Sequence, residues 1–401
     1  MSHSASSTTT RILVLDANQR SALAITRSLG RHPNIVVLTS DETARSLAGQ
    51  SRFSKKYLQS PSLLRDPAQF LNWLYRIIRS EGIEHLYPVT EASSYLCMMH
   101  RDRLGDCRLP LPELDTVLML ADKWKLMNLA EACHIPHPQS RLYQNGSAYN
   151  IESAYRFPVV MKPCFSWIWL GDSWLHSSVQ IARSLAEMRT LHQEKPYFKN
   201  YPFMVQDYIP GHGAGIFALY DHGQAITFFA HQRIREKPPT GGVSVLSESV
   251  YPDPKMLDMA KRLLDAVHWH GVAMVEFRVT PEGEPYLMEV NTRFWGSLQL
   301  AIDAGVDFPH LLYQITAHQP VATPPLYRIG CRLRWLLGDL DSLYLCLRDQ
   351  ACFTAKQKGK RLLDFITPHP FTTRHEVDRL DDWGPAWHEL KMYLRAVLRA
   401  K

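Results

Sequence analysis

The clearest pattern of apolar and polar positions is a pair of apolar runs, 271–279 and 286–290, separated by residues that favour a turn. Side chains alternate along both runs, and the segment 280–285 between them is rich in Pro, Glu and Gly. Two alternating runs around such a segment predict a β-hairpin. With the loop at 280–285, Val279 is expected to pair with Tyr286, and this pair sets the register of the others.

The first part of the chain alternates short apolar runs with helical patterns, which indicates a parallel sheet with crossover connections. The predicted strands lie at 11–16, 35–39 and 86–91, and the predicted helices at 20–29 and 70–79. In open α/β sheets the carboxyl ends of the strands face the ligand crevice. The polar residues that end the third run, Thr90 and Glu91, are therefore candidate substrate contacts.

The segment 321–401 carries two sets of apolar residues at helical spacing, which predict a mainly helical C-terminal region. One interpretation is a pair of helices that covers one lobe of the protein. The other is a basic, amphipathic attachment to an anionic membrane surface or a protein partner. The apolar sets are Leu333, Leu336, Leu337, Leu340, Leu343, Tyr344 and Leu347, then Trp383, Trp387, Leu390, Leu394 and Val397, with Lys356, Lys358, Lys360 and Arg361 between them.

Composition narrows the class of protein. A length of 401 residues predicts two or three domains, and the Ser/Thr-rich residues 1–10 are expected to be disordered and lack the apolar core of a signal peptide. No apolar run approaches the roughly 18 residues of a membrane-spanning helix. Seven cysteines without metal-ligand spacing favour reduced thiols in a cytoplasmic protein. A net charge of +6 suits an anionic substrate or a membrane surface, and no nucleic-acid motif accompanies it.

The predicted hairpin brings two acids together. Counting from the turn places Glu276 directly opposite Glu289, and Asn291 shares their face of the strand. Carboxylates on residues whose Cβ atoms lie about 5 Å apart repel each other and destabilise the strand pair. A hard divalent cation, Mg²⁺ or Mn²⁺, removes the repulsion because it takes oxygen ligands from carboxylates, amides and phosphates. The alternative is a pair of solvated acids on an outer strand face.

Basic residues stand near the ends of other predicted elements. The guanidinium of Arg293 would clamp phosphate or carboxylate oxygens, although it would serve equally as an ion-pair partner of Glu289. Lys162 ends an apolar strand, where a lysine either faces phosphates or extends its ammonium into solvent. Lys123 opens a helix for which Asp122 is the expected N-cap. A lysine in that first turn is mildly unfavourable unless an anion lies nearby.

Three basic residues alternate along a predicted strand that precedes the hairpin in the sequence. Arg233, Arg235 and Lys237 are expected on one face, where they would form a positive stripe. The functional interpretation is a clamp for a substrate carboxylate or a transferring phosphate. The other interpretation is a solvated edge strand whose charges block aggregation.

The motif Glu276-Phe277 followed by Glu289-Val290-Asn291-Thr292-Arg293 resembles the metal-binding end of the ATP-grasp superfamily. Members include carboxylate–amine ligases and the carbamoyl-phosphate synthase and biotin carboxylase groups, which phosphorylate a carboxylate with ATP and let a nucleophile displace the phosphate. The resemblance implies an ATP-grasp fold of α/β and α+β class with an N-terminal doubly wound domain. Its expected limits are 11–120 for that domain, 121–320 for two lobes that clamp ATP and meet near 206–209, and 321–401 for the helical region.

The resemblance also implies a role for single residues. The ATP phosphates would lie on Lys123 and Lys162, the purine on Gln206, Asp207, Tyr208 and Ile209, the Mg²⁺ on Glu276, Glu289 and Asn291, and the acyl phosphate on Arg293 with Arg233 or Arg235.

One segment departs from the pattern of the superfamily, in which a Gly- and Ser-rich flap usually follows the first ATP lysine. Here the segment 164–178 contains one glycine and three tryptophans. Either the flap is stiffened and packs its aromatic residues on the substrate or a neighbouring segment, or closure over ATP works differently. An exposed aromatic flap would also form a docking surface.

These observations predict an ATP-dependent ligase that joins a small-molecule carboxylate to an amine or a related nucleophile. Two alternatives stay open: a regulatory or scaffold protein that binds ATP without turnover, and a kinase-like member that releases a phosphorylated product. A nucleic-acid partner is not expected. Peripheral membrane or protein contact through the C-terminal helices and the oligomeric state stay open.

Overall fold

The structure is a computed structural model that describes residues 9–144, 155–321, 326–349, 352–367 and 373–399. Of the segment 1–10, for which the sequence predicts disorder, residues 1–8 lie outside this part and Thr10 begins the first strand.

The described residues form four sheets and the helices around them. The strands are β1 (Thr10–Val14), β2 (Ile35–Asp41), β3 (Lys56–Gln59), β4 (His85–Tyr87), β5 (Ser140–Tyr143), β6 (Val159–Pro163), β7 (Trp167–Trp169), β8 (Trp174–His176), β9 (Gln180–Ala182), β10 (Phe203–Asp207), β11 (His212–Asp221), β12 (Gln224–Lys237), β13 (Val243–Val250), β14 (Gly271–Val279), β15 (Pro285–Asn291), β16 (Arg332–Arg334) and β17 (Thr373–His375). The α-helices are α1 (Arg20–Gly30), α2 (Pro67–Glu81), α3 (Glu91–Met99), α4 (Leu114–Ala121), α5 (Lys123–Ala132), α6 (Leu185–Glu194), α7 (Pro196–Asn200), α8 (Pro254–Ala266), α9 (Leu298–Ala304), α10 (Phe308–Thr316), α11 (Leu336–Arg348), α12 (Ala355–Ile366) and α13 (Trp383–Arg399).

The N-terminal sheet is parallel, with the strand order β3-β2-β1-β4. Alternate residues of β1 face opposite sides of it, because successive side chains of a strand point in opposite directions. Leu13 joins a core that includes residues of α2 and α3, whereas Ile12 and Val14 join a second core that includes residues of α1. Helices therefore cover both faces, and the predicted doubly wound arrangement is confirmed.

The strand predicted at 86–91 is shorter than expected, because β4 ends at Tyr87 and α3 begins at Glu91. The Thr90 hydroxyl accepts the backbone N–H of Ser93, and the Ser93 side chain accepts that of Thr90. This reciprocal capping box starts the helix. Glu91 consequently lies in the first turn of a helix and not on a strand.

Two antiparallel sheets follow in the part of the chain where two lobes are predicted. One has the order β5-β10-β6-β9, and β7 and β8 form a separate hairpin beside it. The other has seven strands in the order β15-β14-β11-β12-β13-β16-β17, with only its last pair parallel. The chain passes from the first to the second after Asp207, close to the lobe boundary expected at 206–209; the domain limits themselves stay predictions.

The C-terminal region is largely helical, as predicted, but it does not form a separate tail. Its strands β16 and β17 extend the seven-stranded sheet. The Arg27 Nε of α1 donates to Asp382 at 2.8 Å, and this ion pair is almost fully buried. Leu333 belongs to β16 and not to the helix in which its spacing placed it. The sequence could not show this, because three-residue strands carry too little alternation to be recognised.

Most of the apolar stripe of α13 is not buried. This differs from the interpretation in which a pair of C-terminal helices covers one lobe. Among the described residues of that helix, only Pro385 and Ala386 are buried. Trp383 and Trp387 are 58% and 61% exposed. Among the helices of the described segments, none combines the length and the apolar character needed to cross a bilayer.

Candidate functional site

The hairpin of β14 and β15 places its two acids as the sequence predicts, because Glu276 pairs with Glu289. The expected pairing of Val279 with Tyr286 is wrong, since Val279 pairs with Pro285. The register shifts by one residue next to Glu276, where a β-bulge places an extra residue in β15. The loop is thus one residue shorter than predicted, and the bulge restores the facing acids.

The carboxylate of Glu276 is held from two sides. Asn291 Nδ2 donates to its Oε1 at 2.8 Å, and Arg233 Nη2 donates to its Oε2 at 2.9 Å. Burial raises the pKa of Glu276, the charge of Glu289 raises it further, and Arg233 opposes both effects. The pair therefore retains the electrostatic cost that a cation bound between the two acids would relieve.

Both predicted ATP lysines lie buried near these acids. Burial lowers the pKa of Lys162 to about 8; nearby Glu289 raises this pKa and nearby Lys123 lowers it. Lys123 Nζ donates to Ser166 Oγ at 3.1 Å. Asp122 is the N-cap of α5, as predicted, and accepts backbone N–H groups of the first turn.

Three cavities meet at Glu289, Asn291 and Arg293, which lie in the wall of each. The smallest is a pocket that also touches Lys123 and Glu91; we call it the phosphate pocket, because the resemblance implies ATP phosphates on Lys123. The largest, of about 720 Å³, extends from it over the carboxyl ends of β1, β2 and β4. We call it the substrate cleft, because its wall contains the predicted substrate contacts Thr90 and Glu91. The third, of about 310 Å³, lies on the side of Glu276 and Arg233. The facing acids therefore border open space.

The structure separates the basic residues of β12 that were expected on one face. Arg233 contacts Glu276, but Arg235 binds Asp339 of α11 through two hydrogen bonds, and Lys237 pairs with Asp341. Irregular pairing on both sides of Arg235 breaks the alternation of the strand. The predicted positive stripe is therefore wrong, and Arg235 is directed away from the acids.

Asp339 has three arginine partners and is fully buried. Besides Arg235 it accepts hydrogen bonds from Arg334 of β16 and Arg361 of α12. Arg235 is thus part of a buried ionic cluster that joins the sheet to the C-terminal helices.

Arg293 lies beyond the end of β15, at the point where the chain turns toward α9. Its Nη1 donates to the backbone oxygen of Phe294 at 3.0 Å. Arg293 lines all three cavities.

The residues that are predicted to bind the purine lie at the end of β10 and just beyond it. Gln206 is buried; its Nε2 donates to Ser140 Oγ at 2.8 Å, while its Oε1 has no partner among the described residues. The backbone N–H of Asp207 donates to Gln139, so this group is already occupied. The Asp207 side chain is exposed, and Tyr208 is partly exposed.

The aromatic segment after Lys162 forms the hairpin of β7 and β8. Cross-strand ring pairs hold it together: Trp169 lies 4.7 Å from Trp174, and Trp167 lies 4.7 Å from His176 between ring centroids. Ser166, Trp167 and His176 line the substrate cleft. The segment is therefore an aromatic hairpin in the wall of the substrate cleft, and the way in which it closes over ATP stays open.

Sequence reasoning did not identify Ser166 and gave Glu91 only as a substrate contact. Ser166 had a usable signal, since it is a polar residue of the flap shortly after Lys162. Glu91 lines both the phosphate pocket and the substrate cleft, which only the tertiary structure reveals.

Comparison with known proteins finds similarity to ATP-grasp proteins. The family described as ATP-grasp in the biosynthetic pathway with Ter operon matches residues 199–338. A D-alanine–D-alanine ligase of Laribacter hongkongensis is 24% identical over 181 residues, which cover 43% of this chain and 56% of that protein. The chain thus spans little more than half the length of this curated relative.

Two solved structures share the fold over most of the chain. The L-amino acid ligase from Bacillus licheniformis has a TM-score of 0.60 at 15% identity, with 80% of this chain and 78% of that one covered. The biotin carboxylase domain of the Hydrogenobacter thermophilus 2-oxoglutarate carboxylase, solved with MgADP and bicarbonate, has a TM-score of 0.60 at 14% identity, with 80% and 73% covered. Together with the hairpin of facing acids, these similarities show that the chain has the ATP-grasp fold.

Proposed function

We propose that this protein is an ATP-dependent ligase that activates a carboxylate as an acyl phosphate and transfers the acyl group to an amine or a related nucleophile. The observation that carries the proposal is the facing pair Glu276 and Glu289, with two buried lysines beside it and open cavities next to it. The names of the similar D-alanine–D-alanine and L-amino acid ligases support the same reaction class.

ATP would lie between the two antiparallel sheets. Lys123 and Lys162 would neutralise its phosphates, and the phosphates would in turn offset the cost of burying two ammonium groups. The unpartnered Oε1 of Gln206 suits the exocyclic amino group of adenine, because a buried acceptor without a donor is costly. The MgADP in the similar biotin carboxylase domain supports a nucleotide site in this fold.

The donor set at the hairpin fits a hard divalent cation such as Mg²⁺ or Mn²⁺. Glu276, Glu289 and Asn291 present carboxylate and amide oxygens, the ligand types that these ions prefer. When bound, Mg²⁺ supplies charge neutralisation to the oxygens of the transferring phosphoryl group. Arg233 fixes the orientation of the Glu276 carboxylate.

Arg293 and Arg233 would hold the acyl phosphate. Both guanidinium groups border the cavity beside the acids, where a fixed positive charge stabilises charge that develops during transfer. Arg235 has no part in this proposal, since Asp339 holds it on the far side of the irregular strand.

The test is ADP formation by the purified protein with ATP, Mg²⁺ and the twenty standard amino acids, offered singly and in pairs as carboxylate and amine. ADP and phosphate that depend on both co-substrates support ligation, and release of a phosphorylated product with one co-substrate indicates the kinase-like alternative. Nucleotide binding without ADP in any mixture would contradict the ligase proposal.

A second candidate function has one observation in its favour. The flap is a tryptophan-rich hairpin where the superfamily usually has a Gly- and Ser-rich one, which suits a regulatory or scaffold protein that binds ATP without turnover. The facing acids argue against it, because binding alone does not need a complete metal site. The same assay separates the two functions.

The C-terminal helices suit contact with an anionic membrane surface more than full burial against a lobe. No residue of α12 is buried; its apolar Leu363 and Ile366 are exposed beside Lys358 and Lys360. Amphipathic helices with lysine beside exposed apolar residues bind anionic lipid surfaces. Sedimentation of the protein with phosphatidylglycerol vesicles, but not with phosphatidylcholine vesicles, would support this contact. The cytoplasmic location stays a separate prediction.

A further inference from the structure

We infer that Glu91 binds the ammonium group of the amine substrate at the mouth of the phosphate pocket and accepts the proton that the amine must lose before it attacks. The inference rests on the proposed ligase function and adds the site of the second substrate to it.

The position of Glu91 is the first observation. It lines the phosphate pocket together with Lys123 and also lines the substrate cleft. The residues common to both walls include the metal-site pair Glu289 and Asn291 as well as Arg293. A group at this junction lies between the place where an acyl phosphate would form and the space from which a second substrate would arrive.

The structure holds Glu91 firmly at that junction. Asp16, at the end of β1, accepts the backbone N–H groups of Val89 at 2.9 Å and Thr90 at 2.8 Å, and the Ser93 hydroxyl at 2.5 Å. Asp16 itself has a φ of 54°, a left-handed conformation that is unusual for a residue with a side chain. Asp16 thereby fixes the start of α3, and we regard it as a positioning residue for Glu91.

One oxygen of Glu91 is already used and the other is suited to a ligand. The Tyr95 hydroxyl donates to Oε1 at 3.0 Å, which orients the carboxylate. Oε2 is then the atom that would meet an ammonium group. A charge-assisted hydrogen bond of this kind is stronger than a neutral one.

The charges around the cleft favour a cation over a second anion. Among the lining residues, acids outnumber arginines: Asp16, Asp41, Glu42, Glu91 and Glu289 stand against Arg20 and Arg293. Arg20 and Asp16 are both committed elsewhere. Arg20 pairs with Glu376 and stacks on Trp335, and Asp16 accepts hydrogen bonds from the start of α3, so that four acids still stand against Arg293. The cleft side of Glu91 is therefore acidic, whereas Lys123 and Arg293 make the phosphate side basic.

Burial makes the carboxylate of Glu91 a stronger base than an exposed one. Burial raises the pKa of Glu91 and the charge of Glu289 raises it further, while Lys123, Arg293 and the Tyr95 hydroxyl lower it. A base with a raised pKa takes a proton from an ammonium group more readily.

The proposed step conserves atoms and charge. The ammonium group gives one proton to Glu91 Oε2 and becomes a neutral amine. The amine nitrogen attacks the acyl carbon, the C–N bond forms, and the bond from that carbon to the phosphate oxygen breaks. The second nitrogen proton leaves with the phosphate, so that amide, hydrogen phosphate and protonated Glu91 result.

The experiment compares a charged with a neutral nucleophile in the full chain. Hydroxylamine is neutral at pH 7 and converts an acyl phosphate to a hydroxamate without needing a base. The variant Glu91→Gln keeps an oxygen for Tyr95 but cannot take a proton. With the twenty standard amino acids as carboxylates and amines, we expect its amide formation to fall by about 10²- to 10⁴-fold, with hydroxamate formation unchanged.

Two further variants sharpen the test. Asp16→Asn is expected to raise the KM for the amine more than it lowers kcat, because it loosens the start of α3. Glu131→Gln, on the exposed side of α5, serves as the matched control and is expected to form both products at the wild-type rate. The rate of amide formation by the wild type is expected to depend on pH through the protonation of Glu91. This dependence is expected to be absent in the Glu91→Gln variant.

Each result decides between the proposals. If Glu91→Gln loses amide and hydroxamate equally, or loses neither, the role of Glu91 is refuted while the ligase function stands. If the wild type forms neither product, the ligase function fails, and the role of Glu91 fails with it.

Discussion

Arg233 of β12 donates to Glu276 of β14 at 2.9 Å across the intervening strand β11. The bond joins a proposed anion clamp to a proposed metal ligand, so both would respond to the same substitution. Gly213 of β11 lies beneath it, and a Cβ atom there would stand 3.1 Å from the Arg233 Nη1. The absence of a side chain on that strand leaves room for the guanidinium to reach Glu276.

Replacing Arg233 with Gln is expected to lower kcat by about 10²- to 10³-fold, because a fixed charge next to the transferring group is lost. The measurement is ADP formation at saturating ATP. The matched control is Arg235→Gln, two residues along the same strand, which is expected to retain kcat in the folded fraction. Equal losses in both variants would contradict the separation of the two arginines.

Replacing Glu289 with Gln is expected to abolish turnover yet stabilise the metal-free protein. The substitution removes a proposed metal ligand and also removes the repulsion between facing carboxylates, an effect of about 0.2–1 kcal/mol. Thermal unfolding in a chelator, with and without added Mg²⁺, measures the second effect. A metal-free variant that is less stable than the wild type, or one that keeps full activity, would speak against the facing-acid site.

The pKa of Lys162, lowered to about 8 by burial, predicts how stability changes with pH. Below pH 8 both the folded and the unfolded protein carry the proton, and the cost of the buried charge is fully present. Between pH 8 and the ordinary lysine value of about 10.4 the unfolded state binds more protons, so the free energy of unfolding rises with pH.

Lys162→Met removes this contribution, so the wild type is expected to gain stability relative to that variant as the pH rises from 8 to about 10. Urea unfolding of nucleotide-free protein at several pH values measures the difference. A difference that stays constant, or shrinks in favour of the variant, would show that Lys162 is not buried as described.

The ion pair of Arg27 with Asp382 predicts that the C-terminal region contributes strongly to stability. Its side chains are 3% and 1% exposed, and breaking such a buried pair costs about 3–5 kcal/mol. Asp382→Asn is therefore expected to reduce the free energy of unfolding by about that amount in urea titrations.

The neighbouring Asp381 is the natural control. It pairs with Arg31 at 2.5 Å, but these side chains are 45% and 49% exposed. Asp381→Asn is expected to cost about 0–1 kcal/mol, since exposed ion pairs contribute little. Similar small losses in both variants would show that this contact does not fasten the C-terminal region.

The facing acids could be predicted from sequence because two apolar runs with clear alternation flank a turn. The prediction tolerated an error in the loop, since the bulge beside Glu276 shifted the register back before the pair was reached. On β12 the irregular pairing around Arg235 made the prediction wrong. Simple alternation places Arg233 and Arg235 on one face, and the register shifts separate them. Bulges are set by packing between strands, and single-strand periodicity carries no record of them.

Other parts of the site depend on contacts between distant segments. Glu91 lines the phosphate pocket from the start of α3, which Asp16, far away in the sequence, anchors. Strands β16 and β17 are three residues long and gain their order from the edge of an existing sheet. Tertiary context decides such elements, so local pattern could not reveal them.

Asp339 gathers arginines from β12, β16 and α12 onto a single buried carboxylate. Displacing any of these three elements would separate its arginine from the buried carboxylate of Asp339. A truncation before α11 would remove Asp339 and leave Arg235 without this buried partner. Arg235 lies on the same strand as Arg233, which borders the proposed reaction centre. The C-terminal region is accordingly expected to support the order of the sheet that carries Glu276 and Glu289, and truncations before α11 are expected to reduce the amount of folded protein.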